Sequence, residues 1–547
     1  MVDNTISKFC QSVQKIIIYR PPTNPDPFVL DEKRPFDDRL AERPEPATNQ
    51  AQQAFTRMLR FAGRLETFAI KLAGALQAGA GKEQYSNLKR ELAALEKQFA
   101  DLTPVLVGYD QSEPRLSTQR LSTSLEENRQ KLESIYKLPL NKDIVIREIQ
   151  IAASPPVKAM AVFVDGLVDS RALNLSVLEP LMLIDGTRDL YATDLVEQII
   201  GECLPNNQAK PGNTFAAVEE AVNSGDTALI FDGVDVAVLV NTKGWQHRGV
   251  EHPQTEQSVR GSLAAFSENL RINTGLIRTM IRASDLVTEM VKVGRRSRVN
   301  CALMYIESIA NPRLVAEVRR RIKLIRTDYI GDSGQLIQFI EDHPGIPFPQ
   351  SLSTERPDRV AAHLAEGRVA VILEGNPFVH LVPATFFAFF HSSEDFSIKP
   401  TVSNFTRVIR LFGALIATVM PSLYLAVSYF HQEALPTGLL LAIAGSRESV
   451  PFPAWFEIAV MEISFELIRE AGIRIPGVLG STIGIVGAII LGQAAVTARL
   501  VSPIIVVIIA ITGLASFTIP EYRMSSALRL TRFILLVFAS LLGLVGL

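Results

Sequence analysis

Residues 411–430 read LFGALIATVMPSLYLAVSYF, a stretch without a single charge. A helix of about 20 residues rises through the ~30 Å hydrocarbon core of a bilayer, so this stretch is long enough to cross one. Pro421 lies inside it, and proline is tolerated in such helices where neighbours satisfy the freed backbone. Further apolar runs follow at 453–472, 477–495, 502–520 and 533–547. The last stops with the chain and reads as an incomplete span. A shorter run, 436–445, cannot span and reads as re-entrant or interfacial. Residues 401–547 are thus expected to form an α-helical transmembrane bundle. Basic residues set its orientation. With the preceding region inside, Arg407, Arg410, Arg469, Arg474, Arg523, Arg529 and Arg532 flank the inner side, and only Arg447 and Arg499 the outer. The protein is therefore expected to be a multi-pass membrane protein with its N-terminal part in the cytosol.

Towards the N-terminus the text changes. Asp143–Ala152, Ala159–Val168, Thr227–Val240 and Val299–Tyr305 are apolar and β-branched and predict strands. Asp194–Cys203, Thr214–Asn223 and Asn311–Ile325 predict helices, the last with Asn311 as N-cap. Val369–Glu374 and Val379–Val382 predict a strand pair around the turn Gly375-Asn376-Pro377. Together they imply a soluble region of α+β or α/β class made of two small lobes, 141–255 and 256–400. Residues 51–140 read as a helical extension, with LKRELAALEKQF (88–99) amphipathic. Residues 1–50, with PPTNPDPF and ERPEPA, read as a disordered tail rich in proline and charge. No secretory signal is present at the N-terminus.

A chain of 547 residues exceeds a single core. Its net charge of −2 gives no global attraction to nucleic acid. Cys10, Cys203 and Cys301 lie too far apart for a CxxC or zinc pattern, and the histidines form no HExxH, so neither metal nor cofactor is expected. Gly81-Lys82 lacks the remaining P-loop positions. Gly331-Asp332-Ser333-Gly334 matches a serine-protease nucleophile motif but has no β-barrel pattern around it. No enzyme is expected. The arginines of 313–326 and 295–298 read as solvated or subunit-facing surface.

The chemically informative helix is PFPAWFEIAVMEISFELIREAGIRIP (451–476). Glu462, Glu466 and Glu470 recur every fourth residue and drift only about 80° around the axis, with Arg469 beside them and Glu457 on another side. Facing lipid, each carboxylate would cost roughly 2.5–3.5 kcal/mol at mid-bilayer. The stripe must therefore face protein, water or headgroups. It can line a cation path in an oligomer, pair with Arg469, Arg474 or a partner subunit, or lie in the interface. The next run carries Gly477, Gly480, Gly484 and Gly487 on one stripe, which favours close helix packing.

Several blocks resemble the A-subunit family of bacterial spore germinant receptors, the GerA/SpoVAF family. In the soluble region they are NKDIVIREIQI (141–151), AVFVDGLVDS (161–170), VRGSLAAFSENLRINTGLIR (259–278), YIESIANPRLVAEVRRRI (305–322) and STERPDRVAAHLAEGRVAVILEGNPF (353–378). In the apolar region they are residues 451–476, GIVGAIILGQAAV (484–496) and SFTIPEY (516–522). The family motif Thr354-Glu355-Arg356-Pro357-Asp358 and the acidic helix are the specific elements. The resemblance implies a germination protein of the spore inner membrane that works with a transporter-like B subunit and a lipoprotein C subunit. It also implies self-association into a ring that acts as a ligand-gated cation channel, in contact with membrane lipid. A SpoVA-associated paralogue that amplifies ion release, or a non-conducting scaffold that docks partner subunits, are the alternatives. Two departures stand out: residues 1–120 have no counterpart, and the family's GPxEGFxE is here Gly261-Ser262-Leu263-Ala264-Ala265-Phe266-Ser267-Glu268.

Overall fold

Strand β1 (Ile144–Ile151) exposes Glu148 and Gln150 and buries Ile149 and Ile151, a half-covered edge. The computed structural model that shows this describes residues 119–547 apart from 152, 184–193, 206–207, 245–252, 254, 257, 259–260 and 475–489. The expectations for 1–118 and for Gly477, Gly480, Gly484 and Gly487 lie outside the described residues.

After helix α1 (Leu125–Ile135) come β1, β2 (Val157–Val164), β3 (Ala209–Gly212), α2 (Phe215–Asn223), β4 (Thr227–Phe231) and β5 (Ala237–Val240). The first sheet runs β1-β2-β4-β5-β3 and is antiparallel throughout. Then follow α3 (Leu270–Met280), β6 (Leu286–Val293), β7 (Val299–Ile306), α4 (Pro312–Leu324), α5 (Ser333–Ile340), β8 (Leu352–Thr354), α6 (Pro357–Ala365), β9 (Val369–Leu373) and β10 (Val379–Val382). The second sheet, β6-β7-β9-β10-β8, is also antiparallel.

The two sheets share one strand order, and the same interval separates Ile144 from Leu286, Val157 from Val299, Thr227 from Val369 and Ala237 from Val379. The local devices repeat as well. Asn128 and Asn273 each sit in the first turn of a lobe's leading helix. Each donates to a serine carbonyl six residues upstream at 2.6 Å and accepts that serine's N–H at 2.8 Å. Gly233 and Gly375 turn the two hairpins with φ of +85° and +81°, a region glycine enters without steric cost. The lobes are thus one α+β unit built twice.

The duplication corrects one strand assignment: Thr227–Val240 is not one strand but the hairpin β4–β5, broken by Asp232-Gly233, a strong turn pair. Strands β3, β6 and β8 are not announced by the sequence pattern. Asn311 does cap α4, its side chain accepting the Arg313 N–H at 3.0 Å.

A buried ion pair joins the lobes. Arg278 on α3 donates to both oxygens of Asp143, at 2.5 and 2.8 Å, and to the Leu286 carbonyl. Thr288 donates to the same carboxylate at 2.8 Å.

Both faces of the second sheet are covered, which explains why β9 and β10 are apolar at nearly every position. One face packs on Val315, Val318 and Ile322 of α4 and on Leu336, Ile337 and Ile340 of α5. The other packs on α3, α6, Phe389 and Phe390, and continues into Ala414, Ile519 and Met524 of the C-terminal region. That region comprises α7 (Pro400–Phe430), α8 (Thr437–Arg447), α9 (Ala454–Arg474), a helical stretch at 490–497, α10 (Pro503–Ser516) and α11 (Tyr522–Leu542). Among the described residues, two helices are long and apolar enough to cross a membrane, Pro400–Phe430 and Tyr522–Val545. The final helix starts at Tyr522, well ahead of the apolar run at 533, and so includes Arg523, Arg529 and Arg532. An apolar-run reading stops at charges that neighbouring carboxylates compensate.

Candidate functional site

Pro357 opens α6 at its first position, where its fixed φ suits the helix and no N–H is needed. The residue before it, Arg356, turns its side chain into the lobe and is 1% exposed. Its Nε and Nη2 donate to the two oxygens of Asp358 at 3.1 and 2.7 Å, a bidentate fork. Nη1 donates to Ser258 Oγ at 2.6 Å, and Nη2 to the Ser262 carbonyl at 2.9 Å. A Cβ on Gly261 would meet Nη2 at 3.2 Å, and the φ of +125° there disfavours any other residue. Glu355 Oε1 accepts the N–H groups of Thr255 and Glu256 at 2.5 and 3.0 Å and the Thr255 hydroxyl at 2.8 Å. Thr354 Oγ1 donates to Glu256 Oε2 at 2.8 Å. Thr354, Glu355, Arg356 and Asp358 of the TERPD motif therefore lie in one polar knot that holds Thr255, Glu256, Ser258 and Ser262.

Arg359, one turn further, passes this knot on to the apolar helices. Its Nη1 donates to Glu256 Oε1 at 2.7 Å and its Nη2 to the His391 carbonyl at 3.0 Å. Residues 386–396 lead from β10 to α7, and Asp395 receives Arg407 Nε at 3.0 Å and Arg410 Nη1 at 2.8 Å. Burial works against the Asp395 charge, yet Arg410 and Arg407 hold its carboxyl below the usual range. The start of α11 is fastened to the same lobe: Arg523 donates to Glu341 Oε1 at 3.1 Å and to Ser351 Oγ at 3.2 Å. Glu521, which caps that helix, is buried, and desolvation pushes it up to about 7 against the opposing pull of Arg359. Glu256 is raised for the same reason. His380 on β10 is pushed down to about 3 by burial and by Arg523, and both ring nitrogens lack a hydrogen-bond partner among the described residues.

The acidic helix α9 carries a second cluster. Arg532 Nη2 of α11 stands 2.8 Å from Glu462 Oε2 and 3.3 Å from Glu466 Oε1. Its contact with Glu462 is charge proximity without an aligned hydrogen bond. Arg529 Nη1 donates to Glu466 Oε2 at 2.9 Å, and Arg469 pairs with the same oxygen. Arg532 also reaches the Ala417 carbonyl of α7 at 3.5 Å, so the cluster ties α7, α9 and α11. The sequence placed Glu462, Glu466 and Arg469 together. It missed Arg529 and Arg532, which it read as flanking residues. Glu457 faces another way, as its spacing implies, and accepts the Ser502 N–H at the start of α10 at 2.8 Å.

The other motifs resolve into structural roles. Asp332 accepts the Gly334 N–H at 2.9 Å, and Ser333 Oγ stands 2.9 Å from Asn376 Oδ1. Three of the four arginines of α4 find carboxylates: Arg319 pairs with Glu289, and Arg320 and Arg321 with Glu317. Among the described residues no three His, Cys, Asp or Glu side chains converge in a metal-binding arrangement. A cleft beside the lobe junction is lined by Lys142, Asn269, Arg271, Asn300 and Glu374.

A duplicated α+β unit whose second copy is built onto long apolar helices defines a class of two-lobed proteins with a helical C-terminal region suited to a bilayer. This chain belongs to the Bacillus/Clostridium GerA spore germination protein family, whose model matches residues 130–547. It is 37% identical to spore germination protein KA of Bacillus subtilis (strain 168) over 80% of this chain and 79% of that one. It is 36% identical to spore germination protein GerLA of Bacillus cereus over 74% and 81% of the respective chains. It is also 36% identical to the uncharacterized membrane protein YfkQ of B. subtilis over 78% and 82%. A crystal structure of the N-terminal domain of the A subunit of the Bacillus megaterium spore germinant receptor GerK3 aligns with a TM-score of 0.38 at 31% identity. The alignment covers 49% of this chain and 98% of that one.

Proposed function

We propose that the chain is the A subunit of a nutrient germinant receptor in the spore inner membrane, multi-pass with its lobes in the cytosol. In this reading it assembles with a transporter-like B subunit and a lipoprotein C subunit. It self-associates into a ring whose gate is the cluster of Glu462 and Glu466 with Arg529 and Arg532. Family membership supports the receptor role. The observation that supports the gating role is that this cluster bridges α7, α9 and α11, and that α7 and α11 are both fastened near their starts to the second lobe. Carboxylates neutralised by guanidiniums do not attract cations. Conduction therefore requires these pairs to separate, and movement of the second lobe is the means of separating them.

The same pairing favours a second reading, a scaffold in which the cluster only fixes helix packing and the lobes dock partner subunits. Cation flux through liposomes carrying the purified full chain, with its partner subunits and its oligomeric mass recorded, separates the two. A channel gives cation-selective flux from a ring-sized oligomer that changes severalfold in Glu466→Gln. Unchanged flux in a normally assembled Glu466→Gln complex removes the gating role, and a silent monomer leaves the scaffold.

A further inference from the structure

The residues that join the second lobe to α7 expose aromatic rings where a soluble domain would bury them. Phe389 and Phe390 lie in the core, but Phe386 and Phe387 stand 50% and 61% exposed, their ring centroids 5.6 Å apart, and Phe396 is 66% exposed. Past the short polar linker, exposed apolar residues resume on α7 as Val402, Phe405, Ile409 and Phe412, spaced three or four apart along one face. Guanidiniums stand among the rings, with Arg407 5.8 Å over Phe396 and Arg410 donating to the Phe390 carbonyl at 3.2 Å. The same combination occurs at the start of α11, where Tyr522 is exposed beneath Arg529 at 5.9 Å.

Rings with apolar bodies set among snorkelling cations are the chemistry of the boundary between hydrocarbon and water. We infer that Phe386, Phe387 and Phe396 form an interfacial foot by which the second lobe rests in the phospholipid headgroup layer, so that the lobe is seated on the bilayer rather than suspended from a linker. The occupant is lipid because the rings lie directly ahead of a helix long and apolar enough to span, whose first turns expose Val402, Phe405, Ile409 and Phe412, and because Arg407, Arg410 and Arg529 stand in the first turns of the two long helices. The inference rests on the membrane reading and is independent of ion conduction.

The test replaces Phe387 with Trp in the full chain, reconstituted in phosphatidylcholine–phosphatidylglycerol liposomes. Phe412→Trp serves as the buried-depth reference and Tyr329→Trp, exposed on the far part of the lobe, as the aqueous one. Emission added over the parent is compared in lipids brominated near the glycerol region and near the chain ends. An interfacial ring sits about 5–10 Å into the headgroup and acyl boundary, so Phe387→Trp is expected to lose on the order of half its added emission to the shallow bromines and little to the deep ones. Tyr329→Trp should lose none. Quenching at 412 without quenching at 387 overturns the foot: a blue-shifted, unquenched 387 means a protein covers it, and a red-shifted one means water does. Absence of quenching at both 412 and 387 overturns the membrane reading itself, and the foot with it.

Discussion

Removing the guanidinium of Arg356 should unfasten the second lobe locally. The side chain is almost wholly buried and makes charge-assisted bonds to Asp358, Ser258 and two main-chain carbonyls. Truncation strands those acceptors without a donor, and breaking a buried pair in this way costs about 3–5 kcal/mol. An internal comparison is at hand: Arg320 pairs with Glu317 but is 41% exposed, and such pairs contribute about 0.2–1 kcal/mol. In hydrogen exchange on the purified full chain, Arg356→Ala should speed exchange at 261–268 and 386–396 by roughly a hundredfold or more, since each ~1.4 kcal/mol is tenfold. Arg320→Ala should change it by less than about tenfold. Arg356→Lys keeps the charge but loses the fork, and should fall between. Equal protection in the two alanine variants, or a change spread evenly over both lobes, would refute the idea that the TERPD knot fixes the junction.

Other outcomes follow from the same geometry. Asp143→Asn leaves Arg278 buried beside a neutral partner and should destabilise the lobe–lobe seam by about 3–5 kcal/mol, read as lowered protection in both α3 and β1. Glu521 titrates near 7 when folded and near its ordinary value when unfolded. Between those values the unfolded chain has given up its proton while the folded one keeps it, so stability should fall by about 3 kcal/mol from pH 4.5 to 7. Glu521→Gln should flatten that limb in a pH series of thermal melts. His380 works in the opposite direction. Its folded value is depressed, so its contribution is full above about pH 6.5 and is lost as pH falls towards 3; His380→Leu should remove that acid limb.

Much of the architecture was legible because it is periodic. The uncharged run at 411–430, the Asn311 cap and the turn at Gly375 each signal one element by local chemistry alone. The duplication was not legible. Its two copies share hydrophobic spacing and turn glycines, but where they match most plainly, GDTALIFDG (225–233) against GRVAVILEG (367–375), four of nine residues agree, and so short a match does not announce a repeat. The site was half legible. Helical spacing aligned Glu462 with Glu466, and the TERPD block was picked out as a motif. Their partners, Arg529 and Arg532 in one case and Glu256, Ser258 and Ser262 in the other, come from distant chain, and only the fold brings them within reach. Glu521 sits in the SFTIPEY block, yet nothing in that text announces that it faces Arg359 and Glu256.

The core beneath the second sheet does not end at the lobe boundary: Phe389 and Phe390 share it with Ala414, Ile519 and Met524. Mechanically, the lobe and the helices that leave it form one lever. Close-packed side chains transmit displacement instead of absorbing it, so a tilt of the lobe is a tilt of α7 and α11. The first lobe joins this unit through the buried pair of Asp143 and Arg278. In the gating proposed above, a displacement of the second lobe would therefore reach the charges of α9 through the helices it is packed on.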